Sequence, residues 1–205
     1  VFAARTCMMA GVGLTGVFLW YLVRFWVYGK AVVLTSAPLT IPAGFLIAGM
    51  AVATLIGAAL ASWAAGPISE RIEEKNIPVA RVVAGACLLY AAGLALAWGL
   101  GVWSTGTARE NGMLLFALIS GFAFGVYDSL GLELVMDSLP DPRRAGHDLG
   151  IYALANSAGL ALAAIIGALL VNAFEHSFGY YLLFPSAIVM VLLAGIVTLT
   201  TKSAE

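Results

Sequence analysis

Two carboxyl groups five residues apart, Asp128 and Glu133, stand inside an apolar stretch covering 112–136. An ionisable group in such a run is costly unless it faces protein or water, so it marks either ion handling or a structural pair. At 1.5 Å per residue, Asp128 lies about 24 Å along the stretch, past its middle. A carboxyl at that depth can bind a proton or Na⁺ from one side and release it to the other, which is coupling chemistry. The structural alternative is a lasting pair with an arginine or a backbone donor. Glu133 points about 140° away from Asp128 on an ideal helix, so the two do not face one cavity squarely. Glu133 is expected to pair with cations of the connecting loop, Arg143, Arg144 or Arg71. Asp137, one turn further on the same face, is expected to cap that loop.

A second set of residues could meet a solute. Arg24, near the end of the first apolar run, either binds an anionic group or extends its charge to the interface. Tyr127 and Tyr152 offer a ring and a hydroxyl, and Asn156 an amide suited to bonding a neighbouring helix. Tyr21 is a further cavity candidate, although it also belongs to a cluster with Trp20, Phe25, Trp26 and Tyr28 that suits an interfacial belt. No nucleophile–base constellation, phosphate loop or metal-ligand spacing occurs, so catalysis, a metal and a cofactor are all unsupported. Cys7 and Cys87 lie in apolar runs and read as small core residues. His147 and His176 are far apart with no cysteine near either.

The elements that position these residues follow from composition. Of 205 residues, 62% are hydrophobic and only 10% charged, with mean hydropathy +1.00. Too few charged groups remain to cover a water-exposed surface, so the chain is an integral membrane protein. A net charge of −1 gives nucleic-acid binding no support. Six runs are long enough to span a bilayer as helices: 6–28, 41–65, 79–102, 112–136, 149–174 and 180–200. None shows the alternation of a membrane β-strand. Arg5, Arg71, Lys75, Arg81, Arg143, Arg144 and Lys202 fall to one side, and Arg24, Lys30 and Arg109 to the other. That bias predicts both termini in the cytoplasm.

Small residues recur every fourth position on the second span (Gly49, Ala53, Gly57, Ala61) and on the fifth (Gly159, Ala163, Gly167). Such stripes form grooves that admit a neighbouring helix backbone. Ionisable groups inside spans fall on the first and fourth, and the stripes on the second and fifth. This period of three helices predicts a 3+3 inverted repeat.

With these residues in view the chain resembles the C-terminal half of a major facilitator superfamily transporter. Gly66-Pro-Ile-Ser-Glu-Arg-Ile-Glu-Glu-Lys75 resembles the family's G-x-x-x-D-R-x-G-R-K loop, matching at Gly66, the acid Glu70, Arg71 and Lys75. It departs at Glu73 and Glu74, where the family has Gly and Arg. Asp137-Ser-Leu-Pro-Asp141, followed by His147-Asp-Leu-Gly-Ile-Tyr-Ala-Leu-Ala-Asn156, is similar to the stretch joining helices 10 and 11 in bacterial facilitators related to the glycoside/cation symporters. The resemblance implies that the first and fourth spans line a central cavity, that the second and fifth face an N-terminal six-helix half, and that the third and sixth are peripheral. It further implies a bacterial inner-membrane location, a small-molecule substrate, coupling to H⁺ or Na⁺, and a gating role for the Gly66–Lys75 segment. A reading of another class is a non-transporting accessory subunit that docks through the striped second and fifth spans onto a larger membrane complex.

Overall fold

The computed structural model describes residues 2–27, 41–103, 107–137, 145–174 and 176–200. These residues are helical almost throughout, and no strand occurs among them. That is the expected solution for an apolar chain in lipid, where each backbone N–H and C=O must be bonded within the protein. The elements are α1 (Phe2–Gly16), a single turn α2 (Leu19–Tyr21) followed by a π-helical segment Leu22–Val27, α3 (Ile41–Glu74), α4 (Val79–Trp103), α5 (Thr107–Asp137), α6 (Ala145–Ala173) and α7 (His176–Thr200). Bonds from the Val17 N–H to the Gly13 carbonyl and from the Leu22 N–H to the Phe18 carbonyl carry α1 into the turns beyond it. Among the described residues six helices are long and apolar enough to cross a membrane, the first being Phe2–Arg24.

The helices extend past the apolar windows at several ends. The largest extension is on α3, which continues through Glu74 rather than stopping near residue 65. Glu70, Arg71, Glu73 and Glu74 are good helix formers whose charges reach into water. The helix stops where Asn76 takes a left-handed φ of 48°. There the Ile77 N–H bonds the Ile72 carbonyl and the Asn76 N–H bonds the Glu73 carbonyl, the paired bonds of a Schellman cap. Gly66, Glu70 and Arg71, read as loop residues from their motif, are therefore helical. The connection to α4 is reduced to Lys75–Pro78.

Helix packing carries the internal repeat. α1 packs on α6 and α7, while α5 packs on α3 and α4, and α4 meets α7 between them. Exchanging α1 with α5, α3 with α6 and α4 with α7 maps these interfaces onto one another. The repeat extends to individual residues. A Cβ placed on Gly125 of α5 would stand 2.6 Å from the Ala61 Cβ of α3, and one on Gly13 of α1 would stand 2.6 Å from the Ala163 Cβ of α6. Four residues before those alanines, a Cβ on Gly57 would run into the Leu118 carbonyl and stand 2.7 Å from the Phe122 nitrogen, and one on Gly159 would stand 2.7 Å from the Thr6 carbonyl. Gly167 is covered by the Phe18 ring, and Gly49 approaches Leu114. The small-residue stripes thus serve crossings inside this bundle. The accessory-subunit alternative would need these same positions free for its docking face.

What α3 and α6 turn outward is different in kind. They are the least buried of the six spans. Their exposed faces carry large apolar side chains, among them Leu55, Trp63, Leu154 and Leu169. The core lies on the other side of the bundle, around Met8, Leu14, Leu94, Met113, Leu183 and Phe184.

The α3–α5 crossing is tested by Gly121→Val. Its new side chain would meet the Thr54 carbonyl, and forced overpacking of this kind costs about 1–3 kcal/mol or more. Gly85, which has open space where a Cβ would stand, should gain about 0.5–1 kcal/mol on replacement by Ala. Unfolding midpoints of the full-length protein in detergent, with the two changes moving in opposite directions, check both.

Candidate functional site

Polar side chains within the helices mostly bond their own backbone. Thr54 and Ser129 donate to carbonyls four residues earlier, and Thr15 and Ser120 to carbonyls three residues earlier. Such local bonds satisfy the hydroxyl within its own helix, and Thr15 also hydrogen-bonds the Tyr90 side chain of α4. Arg5 behaves differently, because it joins three helices.

Arg5 sits on α1 with its side chain only 6% exposed. Its Nη1 lies 2.7 Å from Oδ1 of Asp128 on α5, and its Nε donates to Oδ1 of Asn156 on α6 at 2.7 Å. The Nη1 contact is a close ion pair rather than an aligned hydrogen bond, since that nitrogen has no partner in hydrogen-bond geometry. Three aromatic rings surround the guanidinium: Phe124 and Tyr127 of α5, each with its centroid 5.7 Å away, and Tyr152 of α6 at 5.1 Å. Ring faces attract a cation at this range, by about 0.5–2 kcal/mol each depending on how dry the site is. Phe124 and Tyr127 are one turn apart and lie nearly parallel, at 22°.

The pair is unequal in exposure. Arg5 is enclosed, whereas the Asp128 side chain is 53% exposed. A guanidinium stays charged under all ordinary conditions. Asp128 is the more accessible member of the pair.

Among the residues singled out from sequence, Asp128, Tyr127, Tyr152 and Asn156 converge here. Arg24 and Tyr21 do not. Nineteen residues separate Arg24 from Arg5, about 28 Å along a continuous helix. Tyr21 stacks on Tyr180 of α7, with centroids 6.0 Å apart and planes 12° from parallel. Both therefore belong to the opposite end of the first span. Gly66 has open space around its missing side chain, and Glu70, Arg71 and Lys75 sit together at the end of α3. Arg143 and Arg144 lie outside the described residues, as do the side chains of Glu133 and Asp137, so the expected loop pairs fall outside the description as well. Cys7 and Cys87 are free thiols.

Arg5 is the residue that sequence reasoning assigned elsewhere. Because it precedes the apolar run at Thr6, its sequence position places it with the cytoplasmic-side cations; the helix already includes it, running from Phe2. The signal that points to it is the unmatched acid: a membrane carboxylate needs a cation, and Arg5 is the arginine next to the first span's apolar run.

Six membrane-crossing helices among the described residues, related by an inverted internal repeat, define a multi-pass helical membrane protein in which Arg5 ties α1 to α5 and α6. The model of the Major Facilitator Superfamily matches residues 43–205, and the chain belongs to that family of membrane transporters. The matched segment covers α3 to α7 and so includes Asp128 and Asn156, while Arg5 lies before it. The bundle has the architecture of half a major facilitator fold. Comparison with curated proteins and with solved structures gave no match.

Removing Asp128 strands a buried charge, whereas removing both partners does not. Asp128→Asn should therefore destabilise the protein more than the double change Arg5→Met with Asp128→Asn. The expected coupling is about 1–3 kcal/mol in a double-mutant cycle on unfolding of the full-length protein. Strict additivity would mean that the two groups do not stabilise each other.

Proposed function

We propose that the chain is the C-terminal half of a secondary active transporter. It works by alternating access against an N-terminal six-helix half and is coupled to H⁺ or Na⁺ through Asp128. The observation that carries this reading is the Arg5–Asp128 pair, in which a permanent cation is enclosed by rings and its carboxylate partner is half exposed. A carboxyl that can be neutralised beside a cation that cannot is a two-state element, and a solute and an ion can both bias it. The broad apolar faces of α3 and α6 are the surfaces against which the other half would rock. The remaining loop cations, Arg71, Lys75, Arg81, Arg143, Arg144 and Lys202, still outnumber those on the other side after Arg5 is removed from the tally. They support cytoplasmic termini. A bacterial inner membrane and kinship with the glycoside/cation symporters extend the same reading. The accessory-subunit alternative relied on the glycine stripes as its docking surface, and those are occupied within the bundle.

The test is solute flux in vesicles carrying the full-length protein, with Asp128 intact and as Asn. Asp128→Asn should abolish accumulation driven by a proton or sodium gradient while leaving exchange of solute across the membrane. Gradient-driven accumulation that survives unchanged would reduce Asp128 to a structural residue.

A further inference from the structure

Building on the proposed transport function, we infer that Arg5 is an oxyanion site whose resident ligand is Asp128. The transported solute then carries a carboxylate or phosphate group that takes Asp128's place when Asp128 takes a proton.

Charge balance around Arg5 drives the argument. The side chain is enclosed by Phe124, Tyr127 and Tyr152, its Nε is committed to Asn156, and its one anionic partner among the described side chains is Asp128. If Asp128 binds a proton, a full positive charge is left among aromatic rings and one amide oxygen. A buried charge that loses its partner is strongly disfavoured. An incoming anion restores the balance, a neutral solute does not, and a cation makes it worse. Proton binding and anion binding therefore favour each other, and the linkage is reciprocal.

The exchange balances in atoms and charge. One proton forms an O–H bond on the Asp128 carboxylate, that carboxyl leaves Nη1 of Arg5, and one oxyanion of the solute takes its place. A proton and an anion enter together and the site's net charge is unchanged. Access fits this order, since the displaceable carboxylate is half exposed and the guanidinium behind it is not. A guanidinium fork matches the two oxygens of a carboxylate or phosphate, and the flanking rings can pack against the body of the solute.

The same geometry selects the coupling ion. A hard metal cation requires several oxygen ligands. Here Asp128 Oδ1 faces Arg5, Asn156 Oδ1 accepts from it, and a positive guanidinium occupies the centre. Among the described residues no cluster of metal-ligating groups occurs. A proton needs only the carboxylate. The titratable and charged groups around Asp128 are Arg5 from α1, Tyr127 on its own helix and Tyr152 from α6, with Cys87 of α4 beside Tyr127. α3 brings Thr54, Ala58 and Ala61 to this helix, none of them charged.

The experiment uses the purified full-length protein and a fixed panel of lactate, gluconate, glycerol phosphate and inorganic phosphate, with methyl glucoside as the neutral arm and tetraethylammonium as the cationic one. Uptake into proteoliposomes under an inward acid gradient is measured for each, together with stabilisation of the detergent-solubilised protein against heat. The expected result is gradient-driven uptake confined to the oxyanion arms, the carboxylates and phosphates distinguishing which group is carried. The same solute should bind wild type about tenfold or more tightly at acid than at alkaline pH. This comparison needs no variant. Asp128→Asn should bind it at both pH values, and Arg5→Gln at neither. Gradient-driven uptake of only the neutral or the cationic probe would overturn the anion site while leaving the transporter reading standing. No uptake in any arm, with no oxyanion stabilising either wild type or Asp128→Asn, would overturn both.

Discussion

A permanent positive charge placed among three aromatic rings is the constraint on which the polar architecture of this bundle depends. Arg5 cannot lose its proton, so the protein must supply an anion and acceptors where lipid supplies none. Asp128 supplies the charge, Asn156 takes the Nε hydrogen, and Phe124, Tyr127 and Tyr152 turn ring faces to the guanidinium. These partners come from α5 and α6. Their mutual placement therefore fixes how the two halves of the internal repeat are joined.

That placement depends in turn on backbone proximity. In lipid, apolar side chains gain nothing by leaving one apolar surface for another, so close contact must hold the helices together. Gly57 and Gly125 let α3 and α5 touch, and Gly13 and Gly159 do the same for α1 and α6. The second crossing brings Thr6, next to Arg5, against Gly159, three residues from Asn156. The packing contact and the polar contact are thus parts of one interface, and bulk added at the crossing would also misalign the site. α3 and α6 meet the core with small residues and present large apolar ones on the opposite face, which separates internal packing from whatever covers them.

The sequence was informative where the physics is one-dimensional. Six apolar runs of membrane-crossing length declare six helices, because the bilayer's thickness sets a length and little else. The glycine stripes were equally visible, but a stripe does not say which helix fills it, and here α1 and α5 of the same chain do. The extension of α3 through Glu74 was hidden because hydropathy ends where the membrane ends, while helix propensity and the Asn76 cap do not. At the site, Asp128, Tyr127, Tyr152 and Asn156 are legible as polar groups in apolar helices. Arg5 was misread because a charge at the margin of an apolar run looks like a loop charge; its role depends on a partner 151 residues away in sequence. The two readings of Arg24, anion binding or an interfacial charge, stand level in the sequence because charge type says nothing about depth relative to a particular partner.

The central claim is that Asp128 alternates between ionised and neutral states beside an unchanging Arg5. Infrared difference spectroscopy on the purified full-length protein, acid minus neutral, tests it directly, with Asp128→Asn as the assignment control. The account predicts a protonated-carboxyl band at acid pH that is absent from the variant and strengthened by a bound oxyanion. A carboxylate that stays ionised across the whole range in which the protein remains folded would contradict it, and would make the pair a fixed structural tie between α1 and α5.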